Sequence, residues 1–274
     1  MRKLLRSQTS ARLKKLDREV RNVARKPENA DSIHDLRVSI RRLKQELEVF
    51  AEWFEAEHVK TIRRHLRKVM DRCAAVRNCD VAIEVLQAAG CEGPKLMARI
   101  EKERRTAAAR LARKLEHWRR TGRVREWRGH LRVSHAASRE TAAEAARRLL
   151  PAMTEELFRA GRGAAQLNST RLRMHRLRLK AKGVRYTLEI FELVYGRKTK
   201  PMLDALKVLQ EKLGAINDCA TTLVMIRRDR GAVEAVRRLA GEREAAFRTY
   251  WKEHFGTRKK VQWKAVLQAA DGKK

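Results

Sequence analysis

Two twelve-residue segments repeat one charge pattern 141 positions apart, Ile33–Lys44 and Met174–Arg185, so any fold for this chain has to place the pattern twice. On a helix turning about 100° per residue, His34, Arg37, Arg41 and Lys44 fall within roughly 80° of one another along about 15 Å of axis. His175, Arg178, Lys182 and Arg185 repeat that register. The apolar positions Ile33, Leu36, Ile40, Leu43, Leu47 and Phe50 occupy the adjoining sector. Each row of cations therefore borders the apolar stripe instead of lying opposite it. A charge that serves only solubility favours the far side of a helix. A row at the edge of a core suits the wall of a groove for an extended anion.

Apolar residues recur at helical spacing nearly throughout, with no convincing run of period two and with 4 Pro and 13 Gly in 274 residues. The expected fold is all-α, with helices of ten to twenty-five residues. Breaks are expected at Lys26–Asn29, Gly90–Pro94, Thr121–Gly122, Gly161–Gly163, Tyr195–Pro201 and Gly256. Ser32-x-x-Asp35 has the form of a capping box that would start the first basic helix just before His34, and Thr170 is the matching cap for the second. Asn168-Ser169-Thr170 accordingly reads as a helix start and not as a glycosylation acceptor. The duplication extends further, because Ala74–Asp80 aligns at an offset of 140 with Gly214–Ala220. Each half is expected to hold a basic helix, a second helix and a polar break, with halves 1–135 and 136–274.

The 66 Lys and Arg residues outweigh 33 Asp and Glu, a formal charge of +33, which points to a polyanionic partner: DNA, RNA, an anionic membrane surface or a phosphate polymer. Cys73, Cys79, Cys91 and Cys219 show no metal-binding spacing and read as reduced residues in helices. No stretch approaches 18 apolar residues, and no apolar run follows the basic start, so a soluble, cytoplasmic chain without membrane insertion is expected.

At these residues the chain resembles the CHAD family, named for an α-helical domain with characteristic histidines. The likeness is carried by His34-Asp35-Leu36-Arg37-Val38, Arg41–Lys44, Arg77-Asn78-Cys79-Asp80-Val81, His175–Arg178, Lys182–Tyr186 and Leu206–Asp218, in order and across most of the chain. It implies a single domain over 1–274, built as two helical bundles related by a pseudo-twofold axis around a basic central channel. It also implies binding of inorganic polyphosphate, association with polyphosphate granules, and no catalytic reaction of the domain itself. Two positions depart from the pattern. Asn78 stands where an acid is frequent, and Gly183 stands where a basic residue is usual, though the latter lies off the row and costs about 1 kcal/mol in helix propensity.

Polyphosphate offers repeated charge and no bases, so its binder needs a series of cationic donors and no stacking platform. Arg addresses two oxygens with its planar fork and Lys adds a movable point charge. The candidate polyphosphate-binding residues are His34, Arg37, Arg41, Lys44, His175, Arg178, Lys182 and Arg185, joined by Arg64, Arg67 and Lys207 on the second helix of each half. Near an anion, the two histidines should shift towards their charged form; the alternative is that each bonds to the core at a helix start. Glu48 and Glu189 repeat one turn beyond each row and read as i,i+4 partners that fix a cation, the alternative being a metal ligand with Asp80 or Asp218. No Walker loop, zinc-protease motif or nucleophile motif occurs, and no catalytic residue, cofactor or resident metal is expected. Nucleic-acid binding and metal-dependent polyphosphate hydrolysis stand as the competing functions. The aromatic content of 5% and the lack of a nucleic-acid motif argue against the first.

Overall fold

The structure, a computed structural model, describes residues 2–133 and 140–269. These residues are helical with short connections, and among them no strand occurs. The chain divides into two compact units, Met1–Arg139 and Glu140–Lys274. The boundary expected at 135/136 lies outside the described residues.

In the first unit, α1 (Arg2–Arg25), α2 (Ala30–Val49), α3 (Ala56–Ala88) and α4 (Pro94–Arg120) are followed by a short α5 (Arg123–His130). Helix α1 packs against α2, α4 and α5, α2 against α3, and α3 against α4, which closes a four-helix bundle. Its core takes Leu13, Leu16 and Val20 from α1, Ile33, Leu36, Ile40, Leu43 and Leu47 from α2, and Ile62, Leu66 and Val69 from α3, all buried. Spacings of three and four between those positions put one stripe of each helix inward. Each such side chain contributes roughly 1.5–3 kcal/mol on burial.

The second unit repeats the plan with α6 (Ala142–Ala164), α7 (Arg171–Ile190), a one-turn α8 (Glu192–Tyr195), α9 (Lys200–Met225), α10 (Arg230–His254) and α11 (Thr257–Gln268). Helix α6 packs on α7 and α11, α7 on α9, and α9 on α10. An aromatic cluster links α6 to α10 and α11. Phe158 meets Trp251, Phe255 and Trp263 at ring-centroid distances of 6.1, 5.8 and 5.5 Å.

Several sequence expectations are corrected. The Ser32–Asp35 box does not form, because Asn29 caps α2: its Oδ1 accepts from Ser32 N at 2.8 Å, so Ser32 already sits in the first turn. Thr170 does cap α7, accepting from Arg173 N at 3.3 Å. Gly161 and Gly163 lie inside α6 and not at a break, since Gly161 is buried where the Trp251 indole covers it. The connection falls instead between Ala164 and Arg171. Helices α3, α4 and α9, with 33, 27 and 26 residues, exceed the expected lengths.

The segments 74–80 and 214–220 are interior turns of α3 and α9, not polar breaks. Their polar groups are paired sideways: Arg77 grips Glu84 through both terminal nitrogens at 2.9 and 3.2 Å, and Asp80 is bonded to Arg104 of α4. Arg104 is therefore mostly covered, and its Nη2 also donates to Glu28 O at 2.8 Å. Cys91 lies in the α3–α4 connection and not in a helix, while Cys73, Cys79 and Cys219 are buried in helices; none of the four is in a disulfide. No helix among the described residues is long and apolar enough to cross a membrane.

Candidate functional site

The two rows emerge on α2 and α7 at the border of their buried stripes. On α2, His34 is exposed, whereas Arg37, Arg41 and Lys44 are half-buried beside Leu36, Ile40 and Leu43. On α7, His175 is exposed, and Arg178, Lys182 and Arg185 are half-buried beside Leu177, Ala181 and Val184. Partial burial holds the aliphatic stems against the core and leaves the charged ends at its rim.

In the first unit the row runs beside cations of α3. Burial pushes Lys44 below the usual lysine range, and Arg63 and Arg67 push it further down against the pull of Glu48 and Asp71. At the opposite end, His34 is lowered by burial and then by Arg41, with smaller contributions from Arg77 and Arg37, while Asp35 pulls the other way. Between these ends, Arg37 is close enough to act on the Cys73 thiol, which burial raises to about 12. The sequence singled out Arg64 and Arg67; both are exposed on α3. They line a cleft of about 440 Å³ with Lys60 and Arg63, walled by Ala51, Ala56 and Val59. Arg63 and Arg77 were not singled out as binding residues. Their signal was available in the steps of four, three, four and three from Arg63 through Arg67, Met70 and Ala74 to Arg77, one helical stripe.

In the second unit the corresponding stripe of α9 is amide-rich. His175 Nδ1 lies 3.3 Å from Asn217 Oδ1, and both residues line a largely apolar cleft of about 330 Å³ with Leu172, Met174, Leu213 and Ile216. Arg185 donates through Nη1 to Gln210 Oε1 at 2.9 Å and through Nε to Glu189 at 3.1 Å, and Gln210 Nε2 donates to Ala181 O at 2.9 Å. Lys207, the partner of Arg67 under the repeat, is exposed on α9. The two repeated acids behave differently: Glu189 pairs with Arg185 in its own helix, but Glu48 reaches across to Arg63 at 3.4 Å. Among the described residues, no group of three or more His, Cys, Asp or Glu side chains is placed to hold a metal ion.

Two rows of half-buried cations on helical bundles provide charge-assisted donors for an extended anion. Neither row brings a nucleophile and a base together. No curated protein matches the sequence. Among solved structures, the chain is similar to the crystal structure of the CHAD domain from the plant Ricinus communis, with TM-score 0.66, 21% identity, and coverage of 99% of this chain and 92% of that one. It is also similar to PptA from Streptomyces chartreusis, with TM-score 0.64, 16% identity, and coverage of 95% and 98%. These likenesses share the helical fold, and the CHAD domain model matches the sequence over residues 7–227. With most of its length inside that match, the chain belongs to the CHAD domain family.

Proposed function

We propose that this protein binds linear inorganic polyphosphate along the basic rows of α2 and α7, in the basic channel that the family resemblance implies, and does not transform it. The observation that carries this reading is the gathering of like charges at a rim where folding alone gives no reason for it. Burial depresses Lys44 most, and the nearby Arg63 and Arg67 lower it further against Glu48 and Asp71, so a further anion at this rim is favoured. A chain of phosphates supplies such charge along its whole length. Each charge-assisted hydrogen bond supplies about 1.5–3 kcal/mol before ordering costs, so four or five engaged residues suffice for tight binding. The reading places the protein in the cytoplasm on polyphosphate granules, held there by the polymer.

The test is a titration with polyphosphate of defined length. Arg37→Ala with Arg178→Ala is expected to weaken binding by more than tenfold with helical circular dichroism unchanged. Arg237→Ala with Arg238→Ala, exposed cations of α10, serves as the charge-matched control. An equal loss in the control would mean that bulk charge alone is responsible. Displacement of polyphosphate by duplex DNA or RNA at equal charge concentration and matched salt would favour the nucleic-acid reading instead.

A further inference from the structure

The repeat makes a direct comparison of the two units possible. Under the 140-residue offset, Lys60, Arg63, Arg64, Arg67 and Lys68 of α3 correspond to Lys200, Leu203, Asp204, Lys207 and Val208 of α9. Five cations in the first unit stand against two cations and an acid in the second. Ion pairing draws on both sets: Lys200 Nζ is bonded to Asp204 Oδ2 at 2.8 Å, while Lys60 and Arg63 meet Glu57 and Glu48 at a longer 3.4 Å, which leaves a surplus of three cations against one. The nearest row residue follows the same division. Lys44 is near Arg63 and Arg67, with Glu48 and Asp71 acting less strongly on it, whereas Arg185 is held by Gln210 and Glu189. Geometry adds to charge: Lys60, Arg63, Arg64 and Arg67 converge on one cleft of about 440 Å³.

Building on the polyphosphate reading, we propose that the cleft at the start of α3 is a self-sufficient site for a linear triphosphate group, and that the equivalent surface of α9 is not. Residues 60, 63, 64 and 67 lie on successive turns of one helix face, so they span about 10 Å of axis. That length matches a run of three phosphate units at roughly 3 Å each, each within reach of at least one cation. The wall of Ala51, Ala56 and Val59 offers no aromatic ring and no side-chain amide, so a nucleobase gains no dedicated platform there. The cleft recognises the phosphates alone. A long chain would then be held most firmly in the first unit, and chains too short to reach further would bind there only.

Calorimetric titration of the full chain with inorganic tripolyphosphate tests this. One tripolyphosphate per protein is expected. Arg63→Ala with Arg67→Ala should weaken it at least tenfold, and Lys207→Ala less than threefold. The converse variant, Leu203→Arg with Asp204→Arg, places the first unit's cations on α9 and is expected to raise the stoichiometry to two. ATP, which carries the same triphosphate on a nucleoside, should bind more weakly than tripolyphosphate. Equal losses from the two units, or ATP binding the more tightly, would overturn the proposal. A protein that takes tripolyphosphate in this way but gains nothing from longer chains would refute the wider polyphosphate reading and leave the cleft assignment standing. Long chains that bind while tripolyphosphate ignores Arg63 and Arg67 would do the reverse.

Discussion

Arg185 Nη1 donates a 2.9 Å hydrogen bond to Gln210 Oε1, which lays the guanidinium of α7 along α9 and leaves its Nε on Glu189. A phosphate arriving at this end of the row must compete with the Glu189 carboxylate. Glu189→Gln removes the competitor, so polyphosphate affinity at low salt is expected to rise about threefold. Thermal stability should fall by less than about 1 kcal/mol, as for other partly exposed pairs within a helix. Combined with Glu48→Gln, the variant also addresses hydrolysis. Orthophosphate release that depends on Mg²⁺ in the wild type and vanishes in the double variant would make these acids catalytic.

Burial, Arg41, Arg77 and Arg37 lower the His34 pKa below its ordinary 6.5 in the guest-free protein. A bound phosphate chain acts in the opposite direction, so the bound form has the higher pKa and binding takes up a proton. Affinity therefore grows as pH falls through the window between the bound and the free pKa. Titration near neutral pH in two buffers of different ionisation enthalpy should show net proton uptake, and His34→Gln should reduce it. Unchanged uptake in that variant would remove His34 from the site.

Beneath the α2 row, Glu46 is fully buried and bonded to Thr9 and Arg12 of α1. Burial pushes its carboxyl above the usual range, against Arg12 and the Thr9 hydroxyl. Arg12→Met leaves an uncompensated carboxylate and is expected to cost about 3–5 kcal/mol near neutral pH. Because the folded pKa is raised, that loss is present while Glu46 is ionised and shrinks as pH falls through its folded pKa towards the unfolded value. Urea melts of both proteins should converge on acidification. A gap independent of pH would contradict the account. The triple variant Thr9→Val, Arg12→Met, Glu46→Leu should recover most of the stability, since the whole polar group is then replaced by apolar volume.

A Cβ built at Gly161 falls 1.7 Å from the Trp251 ring, well inside any real contact. Gly161→Ala gains about 1 kcal/mol in helix propensity and loses more to overpacking. A net destabilisation of about 2 kcal/mol is expected in thermal unfolding. In a Trp251→Phe background, whose ring is smaller, the same substitution should be close to neutral. Equal losses in both backgrounds would mean that the indole is not what excludes the methyl group.

The faces of α2 and α7, the border position of both rows, the Thr170 cap and the connections at Lys26–Asn29, Gly90–Gly93, Thr121–Gly122 and Gly256 were legible in the sequence, because each follows from period and local chemistry. What was not legible depended on partners distant along the chain. Gly161 has the composition of a break, and only Trp251, ninety positions on, shows that its missing side chain makes room within a helix. Asn29 and Ser32 are both good caps, and the choice between them was made by the fold. The polar run from Arg77 to Asp80 resembled an interruption because Glu84 and Arg104, which pair with it, come later in the chain. The cleft on α3 was partly visible: Arg64 and Arg67 were singled out, Arg63 could have been found from its helical stripe, and Lys60 needed the shape of the surface.

Arg104 binds Asp80 of α3 with one part of its guanidinium and the Glu28 carbonyl with another, tying the connector ahead of α2 to a helix that comes more than seventy residues later. His34 stands only a few residues past that anchor. The backbone that leads into the row is thus tied down by the folding of the bundle itself, so a visitor meets a helix whose entry is already fixed and has only the side chains left to arrange.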